Sequence, residues 1–166
     1  MAISSFDPRQ PKIQAHAGGS LPQIVHNYLE GNGQSFKAGQ FVYFSSGAVT
    51  VTGDGDTPVA GIALKDGTSV SASNVAIPVQ LLTPETEVLI QVTTGGTLQA
   101  ANTTCVPGIA YDLESVSTNL HYIDSADTSN EKFVYIDAVY DVNGDATYWG
   151  RFRPYAVEAQ MIESDV

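Results

Sequence analysis

From Gln40 onward the apolar residues of this chain fall on alternate positions, in short runs separated by Gly, Asn, Asp and Ser, and no stretch sustains a helical period. Alternation places one set of side chains on one face of an extended strand. Many short strands with turn residues between them must bury their apolar faces against one another. The expected fold class is therefore all-β, a compact β-barrel or β-sandwich of short antiparallel strands, with its core over roughly residues 38–154.

The clearest stretch is Gly39-Gln-Phe-Val-Tyr-Phe-Ser-Ser-Gly-Ala-Val-Thr-Val-Thr-Gly53. Phe41 and Tyr43 alternate with Val42 and Phe44. Ser45-Ser46-Gly47 suits a short hairpin loop, with Gly47 free to take the left-handed conformation. Val49 and Val51 share one face of the return strand, and "VAGIAL" supplies a third strand after a polar loop. Val75, Ile77, Val79 and Leu81 alternate next, but Pro78 cannot donate to a ladder, which predicts an edge strand or a bulge. Val88, Ile90 and Val92 alternate before a Gly95-Gly96 turn. Asn143-Gly144, between Phe133–Tyr140 and Ala146–Phe152, predicts a two-residue hairpin turn with both central residues at positive φ.

The order strand, turn, strand, polar loop, strand occurs twice, in "GQFVYFSSGAVTVTGDGDTPVAGIAL" and "GIAYDLESVSTNLHYIDSADTSNEKFVYIDAV". Residues 21–166 read as a single β-rich domain, with two similar β halves, about 38–100 and 101–154, as a further reading. Ahead of it, residues 1–20 hold Pro8, Pro11 and Gly18-Gly19 and read as an extended N-terminal arm, unsuited to a helix or a central strand of its own. Arg9 and Lys12 make that arm basic. "LPQIVHNYLEG" fits a short helix or a strand equally well.

The net charge is -11, from 18 acids and 7 bases. Nucleic-acid binding depends on Lys and Arg neutralising phosphates, so no nucleic-acid partner is expected. Anionic membrane surfaces are disfavoured for the same reason. The apolar runs are too short to cross a bilayer, and the first residues lack the basic start and apolar stretch of a signal peptide. Cys105 is the sole cysteine, so no internal disulfide is expected.

Sites of chemistry are sparse. Asp141-Val-Asn-Gly-Asp145 begins like a calcium loop, but Ala146 stands where such a loop needs Gly and Phe152 where it needs Glu. Turn chemistry is the better reading of that cluster and of Asp54-Gly55-Asp56. His16, His26 and His121 lack zinc spacing. Cys105 reads as a buried, inert thiol. Asp54, Asp56, Glu85 and Glu87 could pair as glycosidase carboxylates only if folded to the right separation. No catalytic residue, cofactor or metal is assigned, and the chain is not expected to be an enzyme. Trp149, Arg151 and Arg153 share one strand face, and Trp and Arg are enriched at interface anchors. With Arg9 and Lys12 they form the candidate interface.

"AGQFVYFSSGAVTVTGDGDTPVAGIALKDG" resembles the start of tailed-bacteriophage capsid decoration (cement) proteins: Gly39, the strand Phe41–Phe44, the turn and strand Gly47–Thr52, the loop Gly53–Pro58, then Gly61-Ile62-Ala63. "YDLESVSTNLHYIDSADTSNEKFVYIDAV" looks like such head proteins as well. The resemblance implies a structural virion protein on the outer capsid surface, made in the host cytoplasm, that stabilises the head shell. The implied partners are the major capsid protein and the chain itself as a homotrimer. Phe41, Tyr43, Trp149 and Phe152 would supply apolar surface for the trimer. The alternative is a virion-surface or fibre-like β module that binds host glycans through Tyr-containing loops.

Overall fold

The computed structural model describes residues 12–16, 23–26, 28–53, 58–70, 75–99, 101–117 and 120–155. Among them the alternating runs form fourteen strands and no helix. "LPQIVHNYLEG" resolves as strand: β2 (Ile24–Val25) and β3 (Leu29–Glu30).

The first sheet adds β4 (Phe41–Ser45), β5 (Ala48–Val51), β6 (Gly61–Ala63) and β7 (Val79–Leu81), in the order β2-β7-β6-β4-β5-β3. Its two ends are close in the sequence. Ile24 lies opposite Gln80 and Leu29 opposite Ala76, so Ile24–Val25 and Leu29–Glu30 both run antiparallel to 75–81. β3 then pairs in parallel with β5, Leu29 opposite Ala48, and closes the ring of pairings into a small barrel.

The second sheet contains β8 (Thr86–Thr94), β9 (Thr97–Leu98), β10 (Ala110–Tyr111), β11 (Leu113–Ser117), β12 (Leu120–Asp124), β13 (Phe133–Tyr140) and β14 (Ala146–Pro154). Its order is β10-β13-β14-β8-β12-β11. Only Asp112 separates β10 from β11, so the two ends of this order are adjacent in the chain. β12 pairs with β8 in parallel.

The two rings have the same connectivity. In each, the first strand is parallel to the third, the third antiparallel to the second, the second to the fourth, the fourth to the fifth, and the fifth to the first. The two similar sequence stretches occupy the second, third and fourth strands of each. The division falls between β7 and β8, at residues 82–85, rather than at residue 100. β2 and β3 belong to the first unit, and β8 and β9 to the second.

Alternation along β4 explains how the rings join. Val42 and Phe44 point into the first barrel with Phe36, Val49, Ile77 and Val79. Phe41 points the other way, with Val59 and Ile62, into a core made by Val88, Ile90, Val92, Leu113, Ile123, Phe133 and Phe152 of the second ring. Burying a side chain of this size contributes about 1.5–3 kcal/mol. Phe41 and Phe152 are thus used up inside the chain, which removes them as surface for a trimer.

Three expectations are narrowed or corrected. Residues 12–16 of the arm form β1 (Lys12–His16), a strand on the edge of β8. Residues 1–11, Arg9 included, and residues 17–20 lie outside the described residues. Pro78 does not mark an edge, since β7 just after it pairs on both sides, with β2 and β6; it lies where the register shifts between the Val25–Val79 and Leu29–Ala76 pairs, four residues against three, which is the bulge alternative. The Asn143-Gly144 turn is not a two-residue turn. Only Gly144 has positive φ, at 84°. Gly144 N–H donates to the Asp141 carbonyl (3.1 Å), and Asp141 N–H to that of Asp145 (2.9 Å). The Asp141 carboxylate accepts from the N–H of Asn143 and Asp145, which favours the longer loop. The two-residue turn occurs instead at Ser46-Gly47 (φ 49° and 73°) and at Gly95-Gly96 (58° and 73°).

Gly61 is needed for space. A Cβ there would lie 2.5 Å from the Gln80 carbonyl oxygen and 2.6 Å from Val79 Cγ1. Gly61→Ala must push β6 away from β7, and we expect a loss of about 1–3 kcal/mol. A denaturant midpoint equal to wild type would contradict this packing.

Candidate functional site

Four of the five candidate interface residues, Lys12, Trp149, Arg151 and Arg153, lie on the second sheet, and Arg9 is outside the described residues. Pairing aligns Lys12 with Leu89, Leu89 with Arg151, and Arg151 with Asp137, a single row across β1, β8, β14 and β13. Trp149 lies opposite Gln91 and Arg153 opposite Val134. Both arginines have acidic partners within the chain. Arg153 Nη2 is 2.9 Å from Glu87 Oε1. Arg151 Nη2 is 3.3 Å from Asp137 Oδ2, and its Nη1 is 4.0 Å from Glu87 Oε2. These pairs are solvated, so each contributes at most about 1 kcal/mol. They leave the face studded with charge but nearly balanced. Trp149 is half-buried, its ring 5.8 Å from that of Tyr148.

Either end of this face carries apolar surface. At the β13–β14 tip, Val142 is fully exposed and Tyr140 half-exposed, its hydroxyl donating to Asp137 Oδ1 (3.1 Å). At the other end, Pro84, Val134, Ile136, Pro154 and Tyr155 line an open groove of about 500 Å³, with Arg153 at its rim.

The chemically distinctive residue is His121. On β12 it is in phase with the core residue Ile123, and it is buried. The Phe41 N–H donates to its Nδ1 (3.0 Å), which leaves Nε2 protonated to donate to the Thr52 carbonyl (2.9 Å). Phe41 and Thr52 belong to the first unit and His121 to the second, so one neutral imidazole joins the two. Both its nitrogens are taken by backbone, which leaves no lone pair for a metal. Burial lowers its pKa from 6.5 to about 4, against the opposing effect of the Thr52 bond.

Asp112, at the β10–β11 break, accepts from Lys132 Nζ and from Leu113 N–H (2.7 Å). Burial pushes this carboxyl above its usual range, while Lys132 and Leu113 N–H pull it back. Glu114 and Asp127 lie close enough to share a cation with it. However, Lys132 already neutralises Asp112, and Asp127 Oδ1 accepts from Ser129 N–H (2.7 Å) and hydroxyl (2.5 Å). Glu30, also buried, accepts from Thr68 N–H and hydroxyl (both 2.7 Å) and Ser69 N–H (3.2 Å), pinning the loop after β6. Cys105 is buried, and desolvation with the nearby Asp124 charge pushes its thiol up to about 12, so it stays protonated at neutral pH. Asp54 and Asp56 lie outside the described residues.

Sequence reasoning weighed His121 only as a zinc ligand and did not single out Glu30 or the Asp112–Lys132 pair. The readable signal for His121 was its phase with Ile123. Glu30 and Asp112 bond to residues far along the chain, or to backbone, and left no local pattern. Comparison with family models, curated proteins and solved structures returns no match.

His121 fixes the sign of an acid effect. As pH falls below 6.5 the unfolded chain protonates this imidazole, while the folded chain resists until about pH 4. The unfolded state therefore binds more protons across that window, and stability is lost as pH falls, by about 3 kcal/mol for this group. The raised Asp112 acts in the opposite direction above its ordinary 3.8 and offsets part of the loss. Denaturant melts between pH 7 and pH 4 should slope downward toward acid, and His121→Gln should flatten that slope. An equal slope in both proteins would show that the imidazole is not the group responsible.

Proposed function

We propose that this chain is a structural virion protein of a tailed bacteriophage, a decoration protein that binds the outside of the capsid and stabilises the head shell. Its partners would be the major capsid protein and further copies of itself, as a homotrimer. The observation that carries the reading is where the resembling stretches fall. Residues 38–67 include the second, third and fourth strands of the first barrel, and residues 111–139 span nearly the same three strands of the second. The resemblance thus follows a repeated structural unit rather than a scatter of turns.

Physical features support the same reading. Two sheets that share one apolar core resist deformation. A net charge of -11 keeps the body off packaged DNA. With Phe41 and Phe152 internal, subunit contacts would fall to Trp149, the β13–β14 tip and the segment that precedes β1. Tyr140 and Val142 at that tip favour a second reading, glycan recognition on a virion surface.

Purified chain mixed with expanded, DNA-free heads should bind to saturation and raise the temperature at which the shells rupture. No binding at micromolar excess, with saturable capture on a glycan array, would replace the first reading by the second.

A further inference from the structure

The second barrel is completed by a strand from outside its own sequence. β12 covers one side of β8 only at Val92 and Thr93, and on that same side Thr86–Leu89 are covered by β1. Without β1, backbone N–H and C=O groups there would lie at an open edge, the feature that invites another chain to pair.

The first barrel has the same geometry without the added strand. β5 begins at Ala48, opposite Leu29, so Ile24 and Val25 lie before the stretch it covers, past the Ser46-Gly47 turn. Thr86–Leu89 lie equally before β12. The Gln23 carbonyl accepts from Leu81 N–H (2.8 Å). By alternation Ile24 then directs its own N–H and C=O away from β7, toward the uncovered side. Among the described residues no strand lies along that side, and the Ile24 side chain is 42% exposed.

We infer that this edge of β2 is a strand-addition site for residues 2–6 of a second copy. The inference deepens the homotrimer in the reading above by naming its contact. The occupant follows from the chain itself. β1 shows that an N-terminal segment of this protein adds to the equivalent edge. Ahead of β1 stands Ala2-Ile3-Ser4-Ser5-Phe6, in which, once added as a strand, Ile3 and Ser5 would share one face and Ala2, Ser4 and Phe6 the other. Pro8 and Pro11 lack N–H groups and separate this run from β1, so both segments can pair independently. Arg9 gives the connection a charge opposite to that of the acidic body. An arm passed from each copy to the next is a head-to-tail contact, which closes into a ring when the rotation allows.

The test is sedimentation of the full chain without capsids, over a range of concentrations. Wild type should form a closed trimer. Ile24→Pro removes an N–H on the open side and leaves the pairing with β7. Deletion of residues 2–6 removes the arm and leaves the sequence of all fourteen described strands intact. Each variant should keep the wild-type melting temperature and sediment as a monomer, its self-association weakened by at least about tenfold. Mixed together, one variant supplies the arm and the other the edge, so a one-to-one dimer should appear. A wild-type monomer, or a deletion variant that still forms the wild-type oligomer, overturns the inference. If Ile24→Pro lowers the melting temperature, the deletion variant mixed with wild type decides: it must cap wild-type chains and break rings, and intact trimers overturn the inference. Capsid binding by a wild-type chain that sediments as a monomer would leave the decoration reading standing while the trimer fell.

Discussion

The bond from the Phe41 backbone to the His121 ring is the contact on which the two-barrel arrangement depends. A strand in a closed barrel has its ladder groups directed at its neighbours. Phe41 spends its N–H on an imidazole of the other unit instead, and its side chain stacks there as well, 5.7 Å from the His121 ring and 4.9 Å from that of Phe133. The second hydrogen bond, to Thr52, fixes the tautomer. A hydroxyl or amide could make one of these contacts with ease, but a neutral imidazole accepts and donates at opposite ends of one rigid ring. Replacing the pair by apolar contact would leave the Phe41 N–H and Thr52 carbonyl buried without partners, a cost of about 1–3 kcal/mol for each.

What was legible in the sequence was whatever depends on neighbours a few positions away. The alternation of Val88, Ile90 and Val92 located β8, and the fully buried state of all three follows from it. The Phe41–Gly53 hairpin was equally plain. Ring closure was not, because it rests on parallel pairs between strands distant in the chain, such as Leu29 with Ala48 and Val92 with Ile123. Nothing in the composition of either strand announces its parallel partner. The misread turn at Asn143-Gly144 has a local cause that was visible but not weighed: Asp141 competes for the turn N–H groups.

The same division applies to the candidate interface. Strand periodicity placed Trp149, Arg151 and Arg153 on one face, but the acids that meet the arginines, Glu87 and Asp137, come from two other strands. A charge inventory could not identify them. The repeat was faint for a related reason. Equivalent positions of the two barrels share topology while their side chains answer to different surroundings: the hairpin turn between second and third strands is Ser46-Gly47 in one unit, and the pairs at the closing ladder are Val25 with Val79 and Val88 with Phe152.

The common core also governs the order in which the chain can become secure during synthesis. The first barrel emerges from the ribosome with its own interior complete, but Phe41, Val59 and Ile62 face outward until β8 through β14 have followed. Its partner for the Phe41 N–H lies 80 positions later in the chain. Contacts of such separation form slowly, and a half-made chain displays a sticky apolar patch for the whole interval. Residues 1–81 carry five acids and four bases, so the charge that would keep such chains apart arrives only with the second barrel.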